Sequence, residues 1–576
     1  MPDAKGYFSL VLHSHIPFVI GHGRWPHGMD WLNEAAAETY IPLLMAFQRL
    51  VEEGMSPQIT IGITPILGEQ LADSGFKEEF QNYLNSKIEA ARLDRQQFND
   101  WGQESMMRLA EMWESTYQKV REYFTESIQQ DITGAFARLQ DQGHIEIITC
   151  AATHGYLPLL SEDTSIQAQI RMGVKAHWRL FGRQPEGIWL PEAAYRPGYR
   201  WRSPLADSDT EATDRPGVES FLTRAGLKYF IIDSHLLRGG QAVGVYVDRF
   251  AALKQLWGQF EKSYTARPED FTRTPYSPYW VGDPGGEAGY MAVFTRDPET
   301  GVQVWSGEHG YPGDGNYLDF HKKHFPGGHR YWKVTGPKAD LAEKLEYDPE
   351  AVEGRLTENA DHFVSLIGKI AGENQDESGP PPVICAPYDT ELFGHWWFEG
   401  PRWIYHVIRG LYEKKKVLPL TCGRYLEQYP PAHVISLPEG SWGKGGFHWI
   451  WLNEWTEWTW RHIYDDEAVM KQRAVQLAES KDDEIVAILS QMARELLLLQ
   501  SSDWQFLIST WSARDYAENR IGIHHENFER LTGLLDKRAD GNELSAEDKQ
   551  YLDNLIAVDR PFPDLELAWW ARLEGE

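Results

Sequence analysis

Residues 187–198 read GIWLPEAAYRPG, an apolar run that stops at Pro191 and is followed at once by the carboxylate of Glu192. Such an acid can be a solvated loop residue at the end of a strand. It can also be a catalytic acid at the carboxyl end of a barrel strand, where barrel enzymes hold their reacting groups. On this stretch alone the two interpretations are equally good.

The same pattern of an apolar strand ending in a polar side chain recurs along the chain. Such strands are predicted in YFSLVLHSHIPF (7–18), HIEIITCAATH (144–154), LKYFIID (227–233) and PPVICAPYD (381–389). A helix over 38–54 and a further strand within 58–71 give the strand–helix–strand order of parallel sheets and barrels. Because barrel strands end on one face, the sequence predicts a cluster of His, Glu and Asp side chains there.

The chain divides by pattern into three parts. Residues 1–75 and 141–400 carry the strands and are predicted to form a catalytic barrel, with long lid or binding loops over about 239–320, where Gly, Pro, Tyr and Trp are frequent. Residues 76–140 are charged and amphipathic, which predicts a helical insertion. Residues 401–576 are predicted to form a C-terminal helical domain that contributes aromatic side chains to the active-site cleft.

Charge and cysteine content exclude several classes of function. The chain has 56 basic and 85 acidic residues, a net charge of −29, which argues against binding to nucleic acid or anionic membranes. Three separated cysteines without CxxC spacing, Cys150, Cys385 and Cys422, indicate a reducing, cytoplasmic location and no disulfide framework. The N-terminus lacks the layout of a signal peptide, and no run of about twenty apolar residues occurs.

Asp389 is the second carboxylate of interest, because it ends an apolar strand as Glu192 does. Two carboxylates on converging strand ends suit glycoside chemistry, in which one attacks or stabilises the anomeric carbon and the other protonates the leaving oxygen. Asp389 could instead cap the N-terminus of a helix that begins in DTEL, and taken alone the cap is the better interpretation.

Three histidines follow two of the predicted strands. His13 and His15 lie two residues apart on one strand and point the same way, and His154 ends another. Together they could form a three-histidine zinc site or hydrogen-bond sugar hydroxyls. No HExxH spacing and no glycine-rich phosphate loop occur, so neither a metal nor another cofactor is predicted.

Tryptophan is abundant, with 24 residues, of which six lie within 441–462. This abundance indicates either stacking against sugar rings or a large aromatic core. Trp451, Trp455 and Trp458 have helical spacing and suit helix packing, whereas Trp442 lies in a glycine-rich loop and is the better candidate for sugar stacking. Trp25, Trp31 and Trp305 also lie in predicted loops.

Four motifs resemble, in this order, the sequence regions of glycoside hydrolase family 57. They are HSHIPF, ATHGYLP, GIWLPEAAY and APYDTELFGHWWFEG. Three further stretches look specifically like sequences of the 1,4-α-glucan branching enzymes of that family. They are HGRWPHGMDWLNEAAAETYIPLL, SGEHGYPGDG and SSDWQFLISTWSARDYA. The resemblance runs through nearly the whole chain.

The resemblance implies an α/β fold, an incomplete (β/α)7 TIM-like barrel with an inserted helical subdomain and a C-terminal α-helical domain. It also implies a retaining double displacement, with Glu192 as nucleophile and Asp389 as acid/base. Substrate-binding residues are expected at His13, His15, His154, Trp31, Tyr246, Trp305, Trp442, Trp451 and Asp503. Tyr246 would lie on a mobile loop that keeps water away from the transfer reaction.

The expected activity is transfer of α-1,4-glucan segments to form α-1,6 branch points in glycogen- or starch-type glucan, without a cofactor, by a monomer or dimer. A 4-α-glucanotransferase or α-amylase of the same family is the nearest alternative. A glucan-binding protein without activity is a further alternative, which the presence of both carboxylates makes the weaker one.

Overall fold

The computed structural model describes residues 4–206, 211–239, 250–264, 267, 270, 272–282, 289–306, 310–336, 338–376 and 379–574. Within these residues, seven parallel strands form the centre of the molecule. They are β1 (Gly6–Ser14), β2 (Ile59–Ile63), β3 (Ile145–Cys150), β4 (Gly187–Trp189), β5 (Tyr229–Ile232), β6 (Tyr290–Thr295) and β7 (Val383–Asp389).

The strands pair in the order β7–β1–β2–β3–β4–β5–β6. In the described part of the chain, β6 and β7 are joined by one parallel bridge, between Arg296 and Cys385, just after β6 ends. The sheet therefore curls into a barrel in which its two end strands, β6 and β7, are joined by this bridge alone among the described residues. This confirms the predicted incomplete (β/α)7 barrel.

The first two strands are buried on both faces of the sheet. All nine residues of β1 and all five of β2 are buried, as expected for parallel strands covered on both faces. The register places His13 at the end of β1 beside Asp389 at the end of β7. Two of the predicted site residues are therefore neighbours through backbone pairing.

Helices cover the barrel and continue beyond it. The α-helices of the described residues are Met29–Ala35, Ile41–Glu52, Pro65–Ala72, Ser74–Asp100, Glu104–Glu122, Ile132–Asp141, Asp163–Phe181, Val218–Arg224, Ser234–Leu237, Ala251–Ser263, Pro298–Trp305, Pro349–Glu373, Gly400–Lys414, Cys422–Gln428, Glu457–Leu477, Asp483–Leu499, Asp503–Thr510, Arg514–Ala539, Ala546–Val558 and Ala568–Ala571. None of the helices in the described ranges is long and apolar enough to span a bilayer.

The segment predicted as a helical insertion is helical. Ser74–Asp100 and Glu104–Glu122 run antiparallel, as shown by Arg92, whose Nε donates to Glu114 at 2.7 Å, and Arg121, whose Nη1 donates to Asn85 at 2.9 Å. Their buried apolar side chains recur at helical spacing and form one face against the barrel helices.

Residues 239–320 hold more regular structure than the predicted loops. Besides β6, they contain the helices Ala251–Ser263 and Pro298–Trp305 and a strand, Tyr279–Gly282, that pairs antiparallel with β6. The described part of this range thus contains regular elements where long loops were predicted, and its role as a lid or binding region stays a prediction. These elements stand among Gly and Pro residues, which are typical of loops and hid the short apolar run MAVF of β6.

The sheet also extends past the predicted domain boundary at residue 400. Val417–Pro419 pairs with β1, and Val434–Ile435 pairs with Tyr279–Gly282. The helix Gly400–Lys414 packs against Pro349–Glu373 on the outside of the barrel. The purely helical part thus begins with Glu457–Leu477 instead of at residue 401, because two- and three-residue strands beside prolines leave almost no sequence signal.

Candidate active site

Polar side chains from four barrel strands meet at the carboxyl ends of those strands. His13 lies near the end of β1 and His15 follows that strand, His154 follows β3, Glu192 follows β4 and Asp389 ends β7. One group from the C-terminal helical part joins them, Asp503 at the start of the helix Asp503–Thr510.

Glu192 lies in a strained turn. After β4 the chain enters the three-residue turn Pro191–Ala193, in which Glu192 has φ 60° and ψ 24°, a left-handed conformation that costs free energy for a residue with a Cβ atom. His154 also has a positive φ, 60°. Residues held in such conformations cluster at sites of chemistry and ligand binding.

Two donors hold the Glu192 carboxylate. The indole Nε1 of Trp442 donates to Oε2 at 2.9 Å, and the Ser502 hydroxyl donates to Oε1 at 3.1 Å. The His154 Nδ1 lies 3.9 Å from Oε1. Burial raises the pKa of Glu192 to about 7, and the negative charges of Asp503 and Asp389 act in the same direction.

The three histidines form a stack. The His15 and His154 rings are 4.1 Å apart between centroids, and the Nε2 atoms of His13 and His154 are 3.0 Å apart. His13 also stacks on the buried Trp189 at 5.0 Å. Burial lowers the pKa of His13 and of His154 well below the usual value, so both rings are neutral near pH 7 and can accept as well as donate hydrogen bonds.

Asp503 is the ionised carboxylate of the site. Its Oδ2 atom lies 2.8 Å from His15 Nε2 and accepts from the Ser501 hydroxyl at 2.6 Å. Although burial opposes ionisation, the charge of His15 and the hydrogen bonds from His15 and Ser501 prevail, and the pKa of Asp503 is lowered to about 2.

Asp389 differs from Asp503 in its charge state. Burial raises the pKa of Asp389 to about 7, and the neighbouring carboxyl of Glu391 raises it further, against the opposing charges of His15 and Arg296. The turn after β7, Thr390–Leu392, is a single 3-10 turn, and the Asp389 side chain makes no capping hydrogen bond to it. The helix-cap interpretation of Asp389 therefore fails.

The arrangement supplies two strand-end carboxyl groups, Glu192 and Asp389, whose pKa values lie near neutrality, beside Asp503, which stays ionised. Near pH 7 each of these two groups is divided between its acid and its carboxylate form, so one can act as a nucleophile while the other acts as an acid. Around them stand neutral histidines and indole rings. Such an arrangement can perform an acid-assisted displacement at an uncharged, hydroxyl-rich molecule.

Comparison with known proteins agrees with this chemistry. The profile of the family described as "Glycosyl hydrolase family 57" matches residues 9–438, and that described as "1,4-alpha-glucan branching enzyme, C-terminal" matches residues 462–570. The chain belongs to glycoside hydrolase family 57.

Individual family 57 proteins are similar over almost the whole chain. A 1,4-α-glucan branching enzyme of Thermococcus kodakarensis is 43% identical over 97% of this chain and 77% of its own length. The crystal structure of a branching enzyme from Pyrococcus horikoshii has a TM-score of 0.87 at 38% identity, covering 99% of this chain and 98% of that one. The α-amylase AmyC of Thermotoga maritima follows with a TM-score of 0.79 at 28% identity, covering 99% of both chains.

The predicted aromatic residues of this family 57 chain lie in different surroundings. Trp442 is half-buried and packs edge-on against Trp305, with 5.9 Å between ring centroids. Trp31 packs edge-on against Tyr516 of the helix Arg514–Ala539 at 5.7 Å, on the seam between the barrel and the C-terminal helices. Tyr246 falls outside the described residues.

Trp451 does not line an open surface. Its side chain is 1% exposed and stacks on Tyr156 at 4.4 Å between ring centroids. Helical spacing does not account for its burial, because the helix begins only at Glu457 and includes Trp458 alone of the three spaced tryptophans. In this structure Trp451 thus packs in the core behind the site, and its contact with substrate stays a prediction.

Two contacting residues escaped the sequence analysis. Ser502 bonds both Glu192 and His154, the latter at 2.8 Å from Nδ1, and it lies in the SSDW motif one residue before Asp503. Glu391, two residues after Asp389, accepts from the Tyr40 hydroxyl at 2.5 Å and from the His15 backbone N–H at 3.1 Å. The only sequence signal was their closeness to the predicted residues.

A metal would have to compete with existing hydrogen bonds. Ligand atoms of His15, His154 and Asp503 lie within 4.8 Å of one another, which is close enough for a cation. However, His15 Nε2 is bonded to Asp503 and its Nδ1 to Thr64 at 3.0 Å, while both ring nitrogens of His154 are also bonded. The donor set fits a hydrogen-bonded cluster better than a metal centre.

Proposed function

We propose that this chain is a 1,4-α-glucan branching enzyme, which cleaves an α-1,4-glucan and transfers the released segment to a glucosyl 6-hydroxyl. The observation that carries the proposal is the similarity over the whole chain to branching enzymes, including the C-terminal region whose profile bears that description. The pair of carboxyl groups at the strand ends provides the chemistry that such a transfer requires.

Glu192 is the proposed nucleophile. One of its carboxylate oxygens attacks the anomeric carbon while Asp389 gives its proton to the glycosidic oxygen, so the C1–O bond breaks and a glycosyl ester forms on Glu192. Asp389 then removes the proton from the acceptor 6-hydroxyl, whose oxygen attacks C1 and releases Glu192. The two inversions retain the α configuration. The hydrogen bonds from Trp442 and Ser502 hold the carboxylate of Glu192 in one orientation.

His13, His15 and His154 are the proposed partners of sugar hydroxyls, and Asp503 fixes His15 through their 2.8 Å hydrogen bond. Trp442 and Trp305 are proposed to line the donor and acceptor positions, with Trp31 further out along the seam. Tyr246 is proposed to help exclude water. The substrate is an uncharged α-glucan, which fits a protein of net charge −29 better than an anionic ligand does.

Each of the three predicted parts of the chain has a proposed role in the reaction. We propose that residues 1–75 and 141–400 carry the chemistry, that 76–140 form a supporting helical subdomain, and that the C-terminal helices complete the cleft with Ser502 and Asp503. A reducing compartment such as the cytoplasm is proposed because Cys150, Cys385 and Cys422 are buried free thiols.

An α-amylase is the second candidate, because the Thermotoga maritima α-amylase is similar over 99% of both chains. Incubation with amylose and proton NMR of the products distinguishes the two. A branching enzyme generates new α-1,6 anomeric signals while reducing ends rise little. Shortened chains without α-1,6 linkages would reject the proposal in favour of hydrolysis or disproportionation.

A further inference from the structure

Three tryptophans form a surface patch beside the candidate site that the proposed chemistry does not use. They are Trp449, Trp455 and Trp511, here called the indole platform. Trp455 packs edge-on against both others, with ring centroids 6.2 Å from Trp449 and 6.0 Å from Trp511. Trp511 is 62% exposed, and the nearby Phe506 is 42% exposed.

Trp511 is held in place at a conformational cost. It ends the helix Asp503–Thr510 with φ 59° and ψ 20°, the left-handed conformation that glycine adopts freely at helix ends and that is an outlier for a bulky residue. The Arg514 guanidinium lies 4.5 Å from the ring centroid and covers part of the ring. The indole is thus braced by a cation and an edge-on ring while most of it faces solvent.

Two segments run from the proposed nucleophile to the platform. One begins at Trp442, which bonds Glu192, and reaches Trp449 and Trp455. The other begins at Ser502, which also bonds Glu192, and reaches Trp511 through an eight-residue helix about 12 Å long. The Asn453 amide ties the segments together, donating to Ser509 at 2.8 Å.

The chemistry of the platform suits a neutral, hydroxyl-rich chain. Indole faces stack against the apolar faces of flat or ring-shaped ligands, and their polar surroundings supply hydrogen bonds. The exposed hydroxyls of Thr510 and Ser512 lie on either side of Trp511 in sequence and bond each other at 2.7 Å. We infer that the indole platform is an accessory binding site for an α-1,4-glucan chain, next to the catalytic cleft.

This inference rests on the proposed function for its ligand, but binding can be measured without turnover. The test uses the full chain carrying Glu192→Gln, to prevent cleavage, and compares it with the same protein carrying Trp511→Gly. Glycine relieves the left-handed strain, so loss of the fold does not explain a loss of binding. Trp178→Ala is the matched control, because Trp178 is 55% exposed on a barrel helix.

Retention by amylose in native affinity gels is expected to weaken about tenfold in Trp511→Gly and to stay at the parental value in Trp178→Ala. Thermal unfolding of each variant accompanies the gels. Equal retention of Trp511→Gly and its parent would overturn the inference, and so would equal losses in both variants. A parent that sediments as a dimer and a Trp511→Gly variant that sediments as a monomer would also overturn it, assigning the platform to a second copy of the chain. Failure of the branching proposal would appear separately, in the NMR of wild-type products.

Discussion

Among the residues that the structure describes, two groups of histidines and carboxylates are close enough to hold a cation, and one of these two has the properties of a reaction site. The strand-end cluster comprises His13, His15, His154, Glu192, Asp389 and Asp503. The C-terminal cluster comprises His22, Glu495, Arg520, His524 and Asp559. In each, three ligand-type groups approach closely enough to hold a cation, so residue type and proximity alone do not distinguish them.

The difference lies in access, strain and charge. In the strand-end cluster, the side chains of Glu192 and Asp503 are 12% and 18% exposed, and Glu192 and His154 have left-handed backbones. In the C-terminal cluster, Glu495 and His524 are fully buried on regular helices. There, His524 bonds Glu495 at 2.7 Å through Nδ1 and accepts from Arg520 at 2.9 Å through Nε2.

The C-terminal cluster is almost fully buried and contains its own cation, Arg520, which is typical of a structural element. The strand-end cluster is partly exposed and includes a carboxylate on a strained backbone, which makes it the candidate for chemistry. Arg520 also donates to the Phe18 carbonyl at 2.6 Å, and His22 lies 2.5 Å from Asp559. The C-terminal cluster therefore fastens the segment after β1 to the C-terminal helices, and this segment links His15 to Trp31.

The largest expected difference comes from the same substitution in each cluster. Glu192→Gln removes the proposed nucleophile and is expected to lower the transfer rate by roughly 10⁴-fold or more. Glu495→Gln is expected to retain activity, because burial raises the pKa of Glu495 well above its usual value, so a neutral side chain of the same shape replaces a neutral acid. Initial rates on amylose measure both, and comparable losses in the two variants would remove the distinction.

Arg520→Met tests the structural assignment through stability. It leaves buried acceptors at Phe18 and His524 without their donor, and breaking a buried charged network typically costs about 3–5 kcal/mol of unfolding free energy. The midpoint of denaturant unfolding should fall, while the remaining folded fraction keeps its pH–rate profile. A changed profile with an unchanged midpoint would mean that this cluster takes part in the reaction.

Glu391→Gln is expected to move the pH dependence without abolishing activity. In its ionised form, Glu391, whose own pKa burial raises to about 7, raises the pKa of Asp389, which must be protonated to act as an acid. Activity is lost as pH rises through that pKa, so removing the charge lowers the pKa and shifts the alkaline limb of kcat/KM towards lower pH, by about one unit. A shift of that limb to higher pH would contradict the assignment of Asp389 as the acid.

The smallest expected effect is that of metal removal. Because both ring nitrogens of His15 and of His154 already have hydrogen-bond partners, dialysis against EDTA should leave the transfer rate within error. Loss of activity that is restored by one equivalent of a divalent cation per chain would place a metal in the strand-end cluster.

The barrel and the helical insertion could be predicted because their apolar runs and helical periodicity are local properties of the sequence. The same holds for the polar groups at strand ends, since the ends of parallel strands must meet. β6 and the strand Tyr279–Gly282 were not predicted, because they stand beside Gly- and Pro-containing stretches that are typical of loops. The burial of Trp451 against Tyr156 depends on tertiary packing, for which no local pattern exists.

Contacts between residues far apart in the sequence could not be predicted either. Ser502 bonds Glu192 from 310 residues away, and no property of the serine itself indicates that partner. Glu391 illustrates a different limit. It is adjacent to a predicted residue, but its influence on Asp389 depends on burial and on the Tyr40 hydroxyl, which only the folded chain brings together.

The most direct test of the central claim is to trap the glycosyl-enzyme. 5-Fluoro-α-glucosyl fluoride, which loses its anomeric fluoride and forms a slowly hydrolysed ester, should add one 5-fluoroglucosyl residue to the Glu192 peptide of the wild-type chain, as detected by peptide mass spectrometry. The label should be absent from Glu192→Gln. A label on Asp389 or Asp503 would contradict the assignment of Glu192 as the nucleophile of a retaining transfer.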